Sequence, residues 1–314
     1  MQTSTFRAMN TDILLALEGQ LETDEGLRRT QAFIEDCERR FSRFLPDSEL
    51  ARLNASQGQW LDVSDDLLDL LTLSRAYFDE TGGLFDPSIL PDLKRAGYDK
   101  TMDEIRKEKE LGAPSAPRTS RPSLHELELD QANRRVMLPE GMQIDLGGIA
   151  KGWIAQQACT MLRQYGSAAA VSAGGDIVFA GLPAQGERWR VQIEDPNDQA
   201  RTVAALNVGQ GAVVTSSVSK RTWKQQGASR HHIIDPRKGE PAETEWLSVT
   251  VVAPQAELAE AYAKAFLIGG RREATRLMLQ RPHLAVICID PQGHIFASLN
   301  SKELLDDHSN QILQ

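Results

Sequence analysis

The order of strand-like and helix-like segments is the feature that most restricts the fold of this 314-residue chain. Short apolar runs, which are typical of strands, follow one another in groups. Amphipathic patterns, which are typical of helices, separate these groups at irregular intervals. A regular alternation of strands and helices would instead indicate a parallel α/β sheet. The sequence therefore predicts an α+β fold with mixed sheets and packed helices.

Local patterns indicate where the individual elements lie. Helical spacing predicts helices at residues 23–40, 64–80, 149–165, 256–268 and 271–279. Ser64 is expected to cap the second helix, and Gly82 and Gly83 are expected to end it. Strands are predicted at residues 8–18, 168–172, 177–179, 189–194, 203–208, 212–214 and 246–253, and hairpins at 124–138 and 284–298. Ile144 is expected to open a further strand-like segment that ends at a glycine pair.

Two stretches lack these patterns. Residues 41–54 contain Pro46 and are predicted to form a loop. Residues 104–123 are polar and carry the runs RKEKE and PSAPRTSRPS. This second stretch is interpreted as an insertion or surface loop within a single domain of residues 1–314, rather than as a domain boundary.

Charge and composition argue against several classes of partner. The chain has 35 basic and 44 acidic residues, for a formal net charge of −9. This balance argues against nonspecific nucleic-acid binding, which depends on Lys and Arg at phosphates. No apolar run of about 18 residues is present, so no membrane insertion is expected. The N-terminal residues show no export signal, and three distant cysteines without a CxxC pattern indicate reduced thiols, so a cytoplasmic location is expected.

The segment 144–152 (IDLGGIAKG) combines a strand-like run, a glycine pair and the start of a helix. Glycines allow close approach of the backbone to a ligand, and a helix N-terminus offers N–H groups to a phosphate. Lys151 lies in the first helical turn, where its charge opposes the helix dipole, so an anion beside it would explain its position. The alternative is an ordinary strand–turn–helix with a solvated lysine. The spacing of a P-loop is missing.

Two further segments suggest a ligand site. After an apolar strand, Gly174-Gly175-Asp176 indicates either close ligand approach or a tight turn with a capping aspartate. In the segment 230–239 (RHHIIDPRKG), adjacent histidines on a strand would point to opposite faces, which argues against a metal pair. One histidine near a phosphate, with Arg237 or Lys238 close by, is favoured over a simple strand end with an exposed His231.

Glu260 and Lys264 lie one helical turn apart. On an exposed face such a pair contributes about 0.3–0.5 kcal/mol. The surrounding alanines and the apolar segment 266–268 suggest instead that the pair is partly buried, and buried charges require partners.

Taken together and in this order, these segments resemble the FAD:protein FMN transferase (ApbE) family over about residues 9–270. The matching segments are 145–152 (DLGGIAKG), 173–177 (AGGDI), Thr215-Ser216, 232–239 (HIIDPRKG), the helix around Glu260, and 41–44 (FSRF), 48–50 (SEL), Leu53-Asn54 and 83–87 (GLFDP). The resemblance implies a T-fold-like α+β architecture, FAD as the donor and a divalent metal, usually Mg²⁺, at the diphosphate. It also implies an acceptor flavoprotein whose Thr or Ser hydroxyl receives FMN while AMP is released.

The resemblance and the side-chain chemistry together predict which residues are functional. The expected catalytic residues are His232, Lys151 and Lys264. The expected metal ligands are the backbone carbonyl of Ala150 and the carboxylate of Glu260. FAD is expected to contact Met9, Phe85, Asp86, Gly147, Gly148, Lys151, Gly174, Gly175, Asp176, Thr215, Ser216, His232 and Arg237.

The chain departs from the family pattern at several positions. The usual Met-Gly-Thr is Met9-Asn10-Thr11 here, and Asn tolerates a positive φ better than most residues. The usual metal-binding Asp and Thr are Glu260 and Lys264, and an ammonium offers donors but no acceptor. We therefore hypothesise that metal dependence is altered or lost and that the lysine occupies the place of the cation. After Thr215-Ser216 the usual Gly-Asp-Tyr is absent, so Lys220 and Arg221 are candidates for facing phosphates, and Trp223 either stacks on a ligand or belongs to the core.

The expected chemistry is in-line attack of the acceptor hydroxyl on the FMN phosphorus, with AMP leaving and His232 assisting proton transfer. Two alternatives stay open at this point. Water could replace the hydroxyl, which would make the protein an FAD pyrophosphatase that yields FMN and AMP. The chain could also bind FAD without catalysis.

Overall fold

The computed structural model of the protein describes residues 1–19, 22–108, 110–112, 121–184 and 188–306. The α-helices are α1 (Thr23–Phe41), α2 (Glu49–Ala55), α3 (Asp65–Thr81), α4 (Leu90–Arg95), α5 (Met102–Ile105), α6 (Ala150–Leu162), α7 (Ala256–Gln280) and α8 (Leu299–Lys302). The strands are β1 (Gln2–Ala8), β2 (Thr11–Glu18), β3 (Trp60–Asp62), β4 (Glu128–Asp130), β5 (Arg135–Met137), β6 (Ala168–Ala173), β7 (Asp176–Ala180), β8 (Trp189–Asp195), β9 (Asp198–Val208), β10 (Gly211–Ser217), β11 (Thr222–Gln225), β12 (Ala228–His231), β13 (Ile234–Asp235), β14 (Glu240–Pro241), β15 (Ser248–Ala253), β16 (Ala285–Ile289) and β17 (Ile295–Ala297).

The chain divides into two compact units. The first unit consists of Met1–Cys37, Lys151–Ser219 and Thr244–Gln314, and the second of Glu38–Ala150 and Lys220–Glu243. No helix in the described part of the chain is both long enough and apolar enough to cross a membrane.

The first unit is built around an antiparallel sheet with the strand order β1-β2-β6-β7-β10-β15-β16-β17. The hairpin of β8 and β9 covers one face, where Val191 and Leu206 join Phe179 and Val213 of the sheet in one buried cluster. Alternate residues of each strand point to the other face, and α7 packs against β10 and β15. This combination of antiparallel sheet and packed helices confirms the predicted α+β fold.

The second unit has a core of its own. Its sheets are β3-β5-β4, β11-β12 and β13-β14, and its buried cluster contains Tyr98, Ile105, Leu111 and Trp223. Ile105 and Leu111 belong to the stretch 104–123 that was interpreted as an insertion or surface loop, so part of that stretch is core. Residues 109 and 113–120 lie outside the described residues.

The predicted strand at residues 8–18 is one arm of a hairpin whose other arm, β1, was not predicted. Met9 and Asn10 form the two-residue turn, with φ of 54° and 56°. Positive φ at both central residues is typical of two-residue hairpin turns whose twist matches that of the flanking strands. Asn10 stands where the family pattern has Gly, and Asn tolerates a positive φ better than most residues.

The prediction of a loop over residues 41–54 was wrong for its second half, which contains α2. Ser48 caps this helix by accepting a hydrogen bond from the Ala51 N–H at 2.9 Å. Leu50 and Leu53 lie three residues apart and are fully buried, so one face of the helix packs into the core. The predictions for α3 are confirmed, since Ser64 caps its first turn and Gly82 ends it with a φ of 66°.

The prediction that Ile144 opens a strand was also wrong. A side chain satisfies its backbone instead: Asn54 Nδ2 donates to the Ile144 carbonyl at 2.9 Å, and the Ile144 N–H donates to Asn54 Oδ1 at 2.7 Å. One amide thus replaces a neighbouring strand, because it pairs both polar groups of a buried backbone position.

Helix α7 combines the two helices predicted at 256–268 and 271–279. Gly270 interrupts the regular geometry at the predicted break, with φ of 61° and ψ of −163°. The predicted hairpin at residues 284–298 is present as β16 and β17.

Candidate active site

Four charged side chains meet in the first unit, and we call them the charge network: Lys151, Asp176, Glu260 and Lys264. Helix α6 contributes Lys151, the start of β7 contributes Asp176, and one turn of α7 contributes Glu260 and Lys264. Lys151 Nζ donates to Asp176 Oδ2 and lies 3.4 Å from Glu260 Oε1. Lys264 Nζ donates to the same Glu260 Oε1 at 3.2 Å. Lys151 therefore links the two carboxylates.

Backbone N–H groups occupy the remaining carboxylate oxygens. Gly152 donates to Glu260 Oε2 at 2.8 Å, and Thr215 donates to Asp176 Oδ1 at 3.0 Å. Each carboxylate is thus held by one backbone N–H and at least one ammonium. Such charge-assisted contacts fix the positions of the two lysines.

Burial and charge shift the pKa values in this network. Burial disfavours ionisation of Glu260, whose side chain is 1% exposed, but Lys151, Lys264 and the Gly152 N–H outweigh it and hold its pKa below the usual range. Burial, together with the neighbouring Lys151, lowers the pKa of Lys264 despite the attraction of Glu260 and Asp176. The partly buried alternative for the Glu260–Lys264 pair is therefore the one observed.

Gly152 allows the two helices of the network to approach each other. A Cβ atom at this position would lie 2.7 Å from the Ala256 carbonyl oxygen at the start of α7. The Ala256 N–H is in turn capped by Gln156 Oε1 at 3.2 Å. Gly152 was part of a recognised motif but was not nominated as a site residue, because its role depends on a helix about 100 residues further along the chain.

The glycines Gly174 and Gly175 form the two-residue turn between β6 and β7, with φ of 64° and 94°. A Cβ atom on Gly174 would lie 2.2 Å from Thr11 Oγ1, whereas one on Gly175 would meet no atom within 4 Å. Both glycines border a surface cavity that Thr11 and Asp12 also line. The tight turn, one of the two alternatives for this segment, is present, and a side chain at Gly175 would face open space.

The other nominated residues of the first unit lie on elements of its sheet. Thr215 on β10 bonds through Oγ1 to Thr250 Oγ1 at 2.9 Å, and Ser216 is buried beside it. Met9 is half-buried in the first hairpin turn. Of these residues, Thr215 touches the charge network directly.

In the second unit, Asp86 and Phe85 are buried, and their polar groups form hydrogen bonds within the protein. Asp86 Oδ1 accepts from the Ser88 N–H and hydroxyl, each at 2.7 Å, and Arg121 donates to Asp86 Oδ2. The Phe85 N–H donates to Thr81 Oγ1 at 3.1 Å. Arg121 comes from the polar stretch 104–123, and no sequence pattern marked it as a partner of Asp86.

The loop of Gly147 and Gly148 is supported by the early motif FSRF. Arg43 pairs with Asp145 at 2.6 Å, and its guanidinium lies over the Phe44 and Tyr98 rings at 4.1 and 4.6 Å. Asp145 Oδ1 in turn accepts from the Gly147 N–H at 2.8 Å. Ala150, the nominated carbonyl ligand, is the first residue of α6.

The two adjacent histidines have different surroundings. His231 Nε2 donates to the Ala242 carbonyl at 3.1 Å, and burial lowers the pKa of its imidazole. The alternative of an exposed His231 was therefore wrong. His232 lies edge-on to Tyr98, with ring centroids 6.5 Å apart. Tyr98 stacks on Trp223, which is buried and donates to the Ala96 carbonyl at 2.8 Å, so Trp223 belongs to the core.

Asp235 and Arg237 form a bidentate pair at the predicted turn. Arg237 Nε and Nη2 donate to the two oxygens of Asp235 at 2.9 and 2.8 Å. Burial opposes ionisation of Asp235, but these bonds outweigh it and lower its pKa. The Gly239 N–H closes the turn by donating to the Asp235 carbonyl at 2.8 Å. Half of the Arg237 side chain stays exposed.

The residues of the charge network do not fit a divalent metal. Mg²⁺ prefers carboxylate, carbonyl or water oxygens in octahedral geometry, but both Glu260 oxygens already accept hydrogen bonds, and Lys264 supplies only donors. Within the described ranges, no group of three His, Cys, Asp or Glu side chains could hold a metal ion.

The cysteines do not provide an alternative nucleophile. All three are buried as thiols. Burial raises the pKa of Cys159 and of Cys288 to about 12, and a thiol that stays protonated is a poor nucleophile.

Solved structures define the class of fold to which this arrangement belongs. The chain is similar to the ApbE protein of Thermotoga maritima, with a TM-score of 0.83 and 23% identity over 98% of this chain and 99% of that one. It is also similar to the flavin transferase ApbE of Vibrio cholerae, with a TM-score of 0.78 and 23% identity over 97% and 99% of the two chains. The fold is thus that of ApbE proteins.

The sequence matches the ApbE family over residues 9–288. It is also 32% identical to the FAD:protein FMN transferase of Treponema pallidum, over 80% of this chain and 73% of that protein. The chain belongs to the ApbE family.

Proposed function

We propose that this protein is an FAD:protein FMN transferase, which moves the FMN half of FAD onto a Thr or Ser hydroxyl of an acceptor flavoprotein and releases AMP. Membership of the ApbE family and the activity named for the Treponema pallidum relative support this proposal. The reaction joins the acceptor oxygen to the FMN phosphorus and breaks the bond from that phosphorus to the oxygen bridging to AMP.

The charge network is the observation that carries the proposal. Transfer between phosphates depends mainly on positioning and charge neutralisation. Lys151 and Lys264 offer two ammonium groups that buried carboxylates hold in place. We assign both lysines to the diphosphate, with the guanidinium of Arg237 as a further cation for the nucleotide.

We assign proton transfer from the acceptor hydroxyl to His232. An ordinary imidazole titrates near neutrality, which suits a general base at physiological pH. The neighbouring His231 is engaged with the Ala242 carbonyl, so it is not the histidine that we assign to this step.

We propose that the remaining nominated residues contact FAD through backbone or polar groups. These residues are Met9, Phe85, Asp86, Gly147, Gly148, Gly174, Gly175, Asp176, Thr215 and Ser216. We further propose a cytoplasmic location, which the three buried thiols support.

Noncatalytic FAD binding is the second candidate function. The poor fit of the charge network to a divalent metal favours it, because a protein that lost catalysis would have no need of such a metal.

The first experiment incubates the purified protein with FAD and a candidate acceptor domain, with EDTA or with Mg²⁺, and follows AMP and FMN by chromatography. AMP release together with flavin fluorescence on the acceptor in a denaturing gel is the expected result. AMP and free FMN without labelled acceptor would indicate the pyrophosphatase. Tight FAD binding without AMP, with several acceptors, would favour the binding protein.

Substitution of His232 tests its assigned role. His232→Gln is expected to lower the rate of FMN transfer by about 10²–10⁴-fold, the usual contribution of a general base, with a much smaller effect on FAD affinity. His125→Gln, at a largely exposed histidine of the same unit, is the matched control. An unchanged transfer rate in the His232 variant would remove this residue from the mechanism.

A further inference from the structure

The ammonium group of Lys264 has donors to spare. Its side chain is 17% exposed, and Glu260 Oε1 is the single hydrogen-bond partner of its Nζ among the described residues. A lysine ammonium carries three N–H donors. Two donors therefore remain for an anion, and the contact with Glu260 fixes the position of the ammonium group.

The same geometry disfavours a divalent cation at Glu260. A magnesium ion bound to Oε1 at about 2.1 Å would lie within about 5.5 Å of both the Lys151 and the Lys264 ammonium groups. Both oxygens of Asp176 are also occupied, by Lys151 and by the Thr215 N–H. A bound metal would have to displace at least one of these contacts and would face two like charges.

The charge balance leads to the same conclusion. Lys151 and Lys264 balance Asp176 and Glu260, so the network is electrically neutral as it stands. Removal of the Lys264 charge would leave one uncompensated negative charge around a buried carboxylate, a situation that buried sites avoid by acquiring a partner. Lys264 and a divalent cation are therefore alternatives at this site.

We infer that the Lys264 ammonium takes the place of a divalent cation: it excludes metal from Glu260 and supplies the fixed positive charge that contacts the diphosphate of the ligand. The part that concerns the diphosphate rests on the proposed function. The part that concerns metal exclusion rests on the charge network alone. Lysine acts as a point charge at phosphates, so it neutralises the diphosphate with one charge where a metal would supply two.

A titration with Mn²⁺ followed by electron paramagnetic resonance tests metal exclusion without FAD. The wild-type protein is expected to bind no Mn²⁺ at this site, whereas Lys264→Thr, which replaces the ammonium by a hydroxyl oxygen, is expected to gain about one Mn²⁺ per chain. Lys302→Thr, at an exposed lysine of the same unit, is the matched control. A stoichiometric Mn²⁺ site in the wild-type protein that Glu260→Gln removes would overturn the inference, as would a folded Lys264→Thr protein that binds no Mn²⁺.

FAD affinity, measured by flavin fluorescence, tests the contact with the diphosphate. The wild-type Kd is expected to agree within about twofold in EDTA and in Mg²⁺, and Lys264→Thr is expected to bind about tenfold more weakly in EDTA and to recover in Mg²⁺. A wild-type affinity that requires Mg²⁺ would contradict the inference even if the variant failed to fold. Absence of FAD binding by the wild-type protein in both buffers would instead overturn the proposed function and the diphosphate contact, while the Mn²⁺ titration would still decide metal exclusion.

Discussion

At the scale of single residues, the most consequential position is Glu260. It is buried, it is surrounded by two ammonium groups and a backbone N–H, and its ionised form is the one that these neighbours stabilise. The carboxylate therefore positions both lysines, and each of its oxygens already accepts a hydrogen bond.

Loss of the Glu260 charge is expected to destabilise the protein strongly. Glu260→Gln leaves two ammonium groups around a neutral amide, and removal of one partner from a buried ion pair typically costs about 3–5 kcal/mol. Urea denaturation measures the change, with Glu303→Gln at an exposed position as the control. A loss as small as that of the control would mean that the network contributes little to stability.

Protonation of His231 is expected to weaken the fold at mildly acidic pH. Its folded-state pKa is depressed, mainly by burial, so the unfolded state binds protons more readily and stability falls as pH drops through the unfolded value near 6.5. His231→Gln retains a donor for the Ala242 carbonyl but does not titrate, so its urea midpoint should change less between pH 7.5 and pH 5.5. The same substitution at the exposed His283 should leave the wild-type pH dependence intact.

At the scale of elements, turns and helix termini decide how the side chains of the network meet. The β6–β7 turn precedes Asp176, and its two glycines have different requirements. Gly174 needs both a positive φ and the absence of a Cβ beside Thr11, whereas Gly175 needs only the positive φ.

A pair of alanine substitutions separates these requirements. Gly175→Ala is expected to cost about 1–2 kcal/mol of unfolding free energy, the usual penalty of a left-handed non-glycine residue. Gly174→Ala adds a steric clash with Thr11 and is expected to lower the unfolding free energy by about 1–3 kcal/mol more. Equal losses in chemical denaturation would argue against the close approach of Thr11. Gly174→Ala combined with Thr11→Ala, which removes the Oγ1 atom that the new Cβ would meet, should recover part of the difference.

At the scale of the whole molecule, the formal net charge is −9, and the charge network itself holds two ammonium groups balanced by two carboxylates. We therefore expect association with an anionic ligand to depend on a few positioned lysines rather than on the overall field. A ligand that binds only the native state would also stabilise the entire chain, because unfolded chains lose the site.

Thermal unfolding with ligand tests this dependence. FAD at about 100 times its Kd is expected to stabilise the wild-type protein by about 2.7 kcal/mol and so to raise its Tm. Riboflavin, which lacks the diphosphate, should raise the Tm far less. Lys151→Gln should lose most of the FAD effect, and Lys302→Gln should keep it. An equal shift with riboflavin would show that the diphosphate contributes little to binding.

The sequence by itself determined the local features of this protein. Helical periodicity and capping residues located α3, α6 and the break at Gly270, while apolar runs located most strands of the large sheet. The order of short motifs indicated the family, and the substitution at position 264 was visible without a structure. These features depend on neighbouring residues, whose geometry the local chain dictates.

Only the tertiary structure decided how distant residues share partners. Asn54 pairs with the backbone of Ile144, Arg121 with Asp86, and Glu260 with the Gly152 N–H. No periodic pattern encodes such contacts, because each depends on packing between segments separated by 35 to 108 positions. For the same reason, only the folded chain shows that every carboxylate oxygen of Asp176 and Glu260 accepts a hydrogen bond, which disfavours a bound metal.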